Sequence, residues 1–157
     1  MKRKIDPILL TNAIKECIDK SILCWLATVS NENMPNVSPK EIFNYYGSNS
    51  IIVANIASPQ SVKNIKQNEN VCLSLVDILV QKGYQIKGKA SIVRKEDSGF
   101  QEMEKILSQM TKGEYPFSTI IKISIHQIKS IIAPKYILYP ETTEKQQIES
   151  AKIAYGF

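Results

Sequence analysis

Ser58, Ser61 and Lys63 stand close together in Ala57-Ser58-Pro59-Gln60-Ser61-Val62-Lys63, and their types and spacing suit the binding of a phosphate. Ser58 can cap a helix whose first turn is preset by Pro59. A helix start of this kind exposes backbone N–H groups and the positive end of the macrodipole, to which Ser61 adds a hydroxyl and Lys63 a charge within one turn. Lys40, between Pro39 and Glu41, sits on an expected strand one hairpin earlier, where it can converge with Ser61 and Lys63 on one phosphate. An exposed lysine is the plain alternative.

Other constellations are weak. The sole histidine, His126, falls on an alternating strand with no Ser or Cys motif beside it, so a nucleophilic triad is not expected. Glu41 and Asp77 are the acidic residues interior to expected strands, and they are too distant in sequence to read as an acid/base pair. Neither the full phosphate-loop signature Gly-x-x-x-x-Gly-Lys-Ser/Thr nor Gly-x-Gly-x-x-Gly occurs; Gly83 to Lys89 match the first part of the former, but Ala90 follows. Cys17, Cys24 and Cys72 form an odd set without paired spacing, so no metal site is expected and a reducing cytoplasm is the simplest compartment. The 157 residues suit one domain, and 20 Lys and Arg against 15 Asp and Glu give a net charge of +5. The basic residues are scattered, which favours anionic partners in general but not nucleic acid. No apolar run approaches the ~20 residues that cross a bilayer, no leader precedes the cysteines, and a membrane partner is not expected.

The elements that must position these groups follow from periodicity. Asp6-Pro7 starts a helix carrying Leu10, Ile14, Cys17, Ile18 and Ile22. Strands are expected over 23–30, 36–46 and 50–55, the last two joined at Tyr46-Gly47-Ser48-Asn49 as a hairpin. A short helix runs from Pro59 to about Gln67. An almost wholly apolar, central strand follows over 71–80, and Gln81-Lys82-Gly83 turns the chain into a strand over 84–94, where Ile86, Gly88, Ala90 and Ile92 alternate with polar residues. Ser98 and Gln101 make a capping box for a helix with Phe100, Met103, Leu107 and Met110 on one stripe. A strand over 119–128, a Pro-bounded linker over 133–140 and a last helix capped by Thr143 and Gln146, with Ile148, Ala151 and Tyr155 and a stop at Gly156, complete the chain. Without βαβ crossovers this order fits a mainly β, mostly antiparallel barrel with flanking helices.

Three segments carry a resemblance that covers most of the chain: 26–43 (LATVSNENMPNVSPKEIF), 51–75 (IIVANIASPQSVKNIKQNENVCLSL) and 82–93 (KGYQIKGKASIV). Their order and spacing resemble the pyridoxamine 5'-phosphate oxidase-like FMN-binding split barrels. The resemblance implies a split β-barrel of Greek-key-like, antiparallel construction, with FMN at a homodimer interface. The phosphate would be held at Lys40, Ser61 and Lys63, near Ser58 and Gln60. The flavin ring would lie along Ser38, Pro39, Lys40, Glu41 and Ile42 and along Ala54-Asn55, against partner residues around Gln81 to Tyr84. Gln60 stands near a position that is usually basic, and Ser61 where the oxidases often carry Lys. Oxidases of pyridoxamine phosphate also carry a C-terminal segment with Trp and an Arg/His substrate motif, whereas this chain ends IESAKIAYGF.

The resulting expectation is an FMN-dependent oxidoreductase acting on an unidentified small substrate, with NAD(P)H a possible reductant, and not a true pyridoxamine-phosphate oxidase. A non-catalytic flavin carrier or sensor is the alternative. A haem-handling barrel is disfavoured because His126 would have to be the ligand. Trp25, Phe43, Tyr45, Tyr46 and Tyr84 on strands are more aromatic surface than one small core readily hides, which also favours a dimer.

Overall fold

The computed structural model describes residues 8–157, so the Asp6-Pro7 helix start expected from sequence lies outside the described residues. The first described helix, α1 (Asn12–Lys20), begins instead at Thr11, whose hydroxyl accepts from the Ile14 N–H at 3.3 Å. β1 (Cys24–Val29), β2 (Pro35–Lys40), β3 (Phe43–Tyr46) and β4 (Ser50–Ala54) follow, then α2 (Pro59–Gln67), β5 (Asn70–Asp77) and β6 (Lys82–Arg94). The chain continues through α3 (Phe100–Thr111), β7 (Thr119–Ile132), α4 (Pro134–Leu138) and α5 (Glu144–Tyr155).

All ladders are antiparallel and join the strands into one seven-stranded sheet in the order β2-β1-β5-β6-β7-β4-β3. Its two edge strands, β2 and β3, are neighbours in the chain, separated by Glu41 and Ile42 alone. Such a link curls the sheet so that its two edges approach, and the Ala54 N–H, which donates to the Ile42 carbonyl at 3.0 Å, extends the β3–β4 ladder as far as that link. The edges meet without a β2–β3 ladder, which makes the barrel split, as the sequence led us to expect.

Alternation decides which core each strand feeds. β4 is buried at every position because its two faces serve different layers. Ile51 and Val53 join Leu26, Phe43, Leu73, Ile86, Ile121 and Ile123 inside the barrel, while Ile52 and Ala54 meet Phe100, Met103 and Leu107 of α3. Each such fully buried aliphatic contributes about 1.5–3 kcal/mol relative to an exposed one. The β5–β6 pair is held unusually close at Gly83, where a Cβ would lie 2.0 Å from the Leu75 carbonyl oxygen. A β-bulge at Lys87/Gly88 lets the long β6–β7 ladder twist.

Several boundaries differ from the sequence expectation for local reasons. The single strand over 36–46 is two, broken at Glu41-Ile42 where the chain passes from one sheet edge to the other. The strand over 71–80 stops at Asp77, whose Oδ1 accepts from the Leu79 and Val80 N–H groups at 3.0 and 3.1 Å. The turn therefore lies over 78–81, ahead of Gln81-Lys82-Gly83, and Lys82 already pairs with Ile132. That pairing carries β7 past residue 128. β5 is central as expected, paired on both sides between β1 and β6, with β6 the fourth strand of the seven. The Ser98/Gln101 capping box does not form: α3 starts after Gly99, at φ 81°, with no side-chain cap. On α3 Thr111 is buried and Met110 exposed. The 133–140 linker contains the short helix α4. On α5, Gln147 and Ala151 are the buried residues, with Tyr155 exposed, while the Thr143/Gln146 capping box and the left-handed Gly156 stop are present.

Candidate functional site

The site is built where β2, the β4–α2 turn and the start of α2 come together. Asn55, just past β4, is anchored twice to Thr119, its N–H donating to the backbone carbonyl at 3.1 Å and its Nδ2 to Oγ1 at 2.7 Å. The chain then reverses through Ala57, whose φ of 49° is costly for a residue with a Cβ. That reversal aims Ser58 and the α2 N-terminus at β2.

Ser58 occupies the N-cap position but its side chain makes no capping bond, which corrects the sequence expectation. Its hydroxyl is used elsewhere: it donates to the Ile56 carbonyl at 3.1 Å and accepts a short hydrogen bond from the Lys40 ammonium. The Ser38 and Ser61 hydroxyls share a hydrogen bond of 3.2 Å. One ammonium and three hydroxyls thus gather beside a helix start that no side chain caps.

Lys40 is the unusual member. As the last residue of β2 it points inward, 7% exposed, opposite Cys24 on β1. Burial holds its ammonium below the ordinary lysine range. Among the described residues it forms no ion pair; the salt bridges are Lys82–Glu144 and Lys89–Glu69. Cys24 offers no counter-charge, because burial pushes its thiol up to about 12 and leaves it neutral. A buried cation without an anion is a costly arrangement that an anionic ligand would relieve.

A polar network fixes α2 against the barrel. Asn64, 1% exposed, donates from Nδ2 to the Thr28 hydroxyl at 3.0 Å and accepts from Gln60 Nε2 at 2.8 Å, while Asn36 reaches the same hydroxyl at 3.4 Å. Next to the cradle lies a cleft of about 260 Å³ lined by Pro39, Lys40, Glu41, Ile42, Ala54, Ile56 and Tyr115. The adjoining Asn55 keeps a buried Oδ1 with no hydrogen-bond partner among the described residues.

Of the residues singled out in sequence, Ser38, Pro39, Lys40, Glu41, Ile42, Ala54, Asn55, Ser58 and Ser61 come together here. Gln60 turns to Asn64, and Lys63 is exposed on α2. Gln81 is elsewhere in the same chain, at the β5–β6 turn, where φ is 58° and its Nε2 donates to the Tyr155 hydroxyl at 2.9 Å. His126 is exposed on the outer side of β7. Among the described residues no three His, Cys, Asp or Glu side chains cluster, and no helix is long and apolar enough to cross a membrane. Thr28, Asn64, Ile56 and Tyr115 were missed. Asn64 was legible in principle, as a polar residue on the same helical face as Ile65 and Ser61; Tyr115 stood out only as an aromatic between Gly113 and Pro116.

The donor set suits FMN: an ammonium and hydroxyls for the phosphate, and a narrow, mostly apolar slot beside them for a planar ring. A family model described as pyridoxamine 5'-phosphate oxidase matches residues 10–132. Among solved structures the fold is similar to Group A Streptococcus HupZ, at 23% identity and TM-score 0.66, covering 76% of this chain and 91% of that one. It is similar to an FMN-binding protein from Syntrophomonas wolfei, at 18% identity and TM-score 0.66, covering 76% and 84%. General Stress Protein 26 from Bacillus anthracis is also similar, at 24% identity and TM-score 0.60, covering 75% and 90%. At such identities these structures establish the fold alone. Among curated proteins none matches the chain.

Proposed function

The chain belongs to the pyridoxamine 5'-phosphate oxidase family, and from that premise we propose that it is a dimeric FMN-binding flavoprotein, an oxidoreductase acting on a small substrate. The observation that carries this reading is the buried Lys40, unpaired with any carboxylate among the described residues and set among Ser38, Ser58 and Ser61. Lys40 and the three serines would hold the phosphate; Pro39 to Ile42 and Ala54-Asn55 would line the ring. FMN, when bound, supplies hydride or electron transfer. The chain's own groups bind and orient it, and no acid/base pair is needed in the cleft.

Dimerisation completes the site in this reading. The cleft of one chain, about 260 Å³, falls short of the roughly 300–1,000 Å³ of whole-ligand pockets. Trp25 is 48% exposed, with Ile22 and Ile78 beside it along an apolar groove of about 650 Å³, and Val37 exposed on β2. A twofold contact would cover this face. Light scattering of dilute protein tests it: a monomer that binds FMN stoichiometrically would refute the shared site.

The test of the cofactor is comparative titration of FMN and riboflavin, beside the visible spectrum of the purified protein. Two charge-assisted bonds of about 1.5 kcal/mol or more each give FMN roughly a hundredfold preference. Equal affinities would overturn the phosphate cradle. Oxidation of NAD(P)H by the flavin-loaded protein separates an enzyme from a carrier or sensor, and formation of pyridoxal phosphate would refute the expectation that pyridoxamine phosphate is not its substrate.

A further inference from the structure

Tyr115 lines the cleft from a direction that none of the other lining residues shares. Pro39 to Ile42 belong to the sheet seam and Ala54 and Ile56 to the end of β4, whereas Tyr115 comes from the loop between α3 and β7. That loop is held at both ends. Lys112 and Gly113 take successive left-handed conformations, with φ of 49° and 78°, and the Gly113 N–H donates to Thr111 Oγ1 at 3.2 Å. The Glu114 N–H donates to the Thr111 carbonyl at 3.0 Å. Two residues past Tyr115, Phe117 packs on the core beneath α3. The tyrosine between these anchors is 55% exposed, although the core under α3 lies within reach of its loop. An aromatic ring kept at the mouth of a cleft instead of being folded into a nearby core has surface to offer a ligand.

We propose that Tyr115 is a cofactor-contact residue that closes the open side of the cleft and stacks on the planar ring of bound flavin. This rests on the flavin reading above and adds to it a wall that comes from neither the barrel seam nor α2. The remaining lining residues, Pro39, Lys40, Glu41, Ile42, Ala54 and Ile56, include no aromatic, so Tyr115 supplies the cleft's aromatic face and, through its phenol, a readily oxidised group. In contact with photoexcited flavin, a phenol lends one electron and takes it back within the excited-state lifetime, leaving both partners unchanged. Stacking by Tyr115 therefore has an optical signature that a purely structural role lacks.

The test titrates the full chain and its Tyr115→Leu, Tyr115→Phe and Tyr115→Trp variants with FMN, recording dissociation constants, emission and fluorescence lifetimes, with thermal melts as a check on the fold. Wild-type protein should quench the bound flavin. Tyr115→Leu should raise the emission and the lifetime of the bound flavin several-fold and weaken FMN by about two- to tenfold, the loss of one aromatic stack of ~0.5–1.5 kcal/mol. Tyr115→Phe should restore affinity without restoring quenching, because benzene is not a ready electron donor, and Tyr115→Trp should restore both. FMN bound by Tyr115→Leu with wild-type affinity and lifetime would overturn the stacking proposal and leave the flavin reading standing. Failure of the wild type to bind FMN would overturn both.

Discussion

Two lysines in different parts of the barrel show how differently a fold can treat the same charge. Lys82 starts β6 at the place where the C-terminal segment is fastened down. It donates to Glu144 at 2.8 Å, and its ammonium lies 4.6 Å from the centre of the Tyr136 ring. The same fastening includes the Tyr136 hydroxyl bond to the Val80 carbonyl at 2.7 Å and the Gln81–Tyr155 bond. Hydrogen bonding to Glu144 raises the Lys82 ammonium above the ordinary lysine range. Lys40 is more deeply buried and, among the described residues, has only a serine hydroxyl. One region has satisfied its charge from its own sequence, and the other holds a charge that the described chain leaves uncompensated. A satisfied lysine serves the fold; an unsatisfied one is the feature to test for a ligand.

The contrast breaks most sharply with Lys40→Met. FMN affinity should fall by roughly thirtyfold, about 2 kcal/mol for a hydrogen bond to a charged group, while the unliganded protein melts at the same or a higher temperature because a buried unpaired charge is gone. Calorimetric titration and thermal melts measure both, and a drop in melting temperature with unchanged FMN affinity would make Lys40 structural. Removing the Ser61 hydroxyl by Ser61→Ala should cost about 1 kcal/mol of FMN binding, near fivefold, with riboflavin unaffected.

The pH response of the two regions should run in opposite senses. Since burial depresses the Lys40 ammonium, that charge disfavours the unliganded fold at neutral pH, and stability is regained as pH rises through the depressed value. A bound phosphate reverses the bias. FMN affinity should therefore decline as pH rises through that value, and decline also below about pH 6, where the phosphate dianion takes up a proton and becomes a monoanion. Lys82, raised by its partner, contributes stability that is complete below the ordinary lysine range and lost as pH climbs through the raised value. Affinity that is flat from neutral to strongly alkaline pH would remove Lys40 from the phosphate.

The smallest effects belong to the exposed charges. Lys82→Met should lower stability by about 0.5 kcal/mol at low salt and less at high salt, since its side chain is 40% exposed and that of Glu144 59%. It should not alter FMN binding. Lys63→Ala, on the exposed side of α2, should weaken FMN by about twofold, an effect screened at physiological salt. A loss as large as that of Lys40→Met would move the phosphate along the helix.

Much of this was legible before the fold. Periodicity placed β7's Ile121, Ile123 and Ile125 inward, against Lys122, Ser124 and His126, and the Pro59 start and Gln67 end of α2 could be read from its flanking residues. Thr143 with Gln146 announced α5. Ser98 with Gln101 had the same local form and failed, because Gly99 in the left-handed region begins α3 one residue later. Capping motifs report what a segment can do alone, and the tertiary frame chooses among neighbouring starts.

Residue types and spacing by themselves determined the two periodicities, the short helix after β4, the antiparallel class and the presence of hydroxyls and a lysine suited to phosphate. Only the tertiary structure decided that Lys40 is buried and, among the described residues, unpaired with a carboxylate, that Ser58 turns to it instead of capping α2, and that Tyr115 reaches the cleft from another loop. The reason is the range of the forces involved. Alternation and capping act over a few neighbouring residues, whereas the burial of one charge and the lining of one cleft depend on strands brought together by a sheet that curls because its two edges are joined through Glu41 and Ile42.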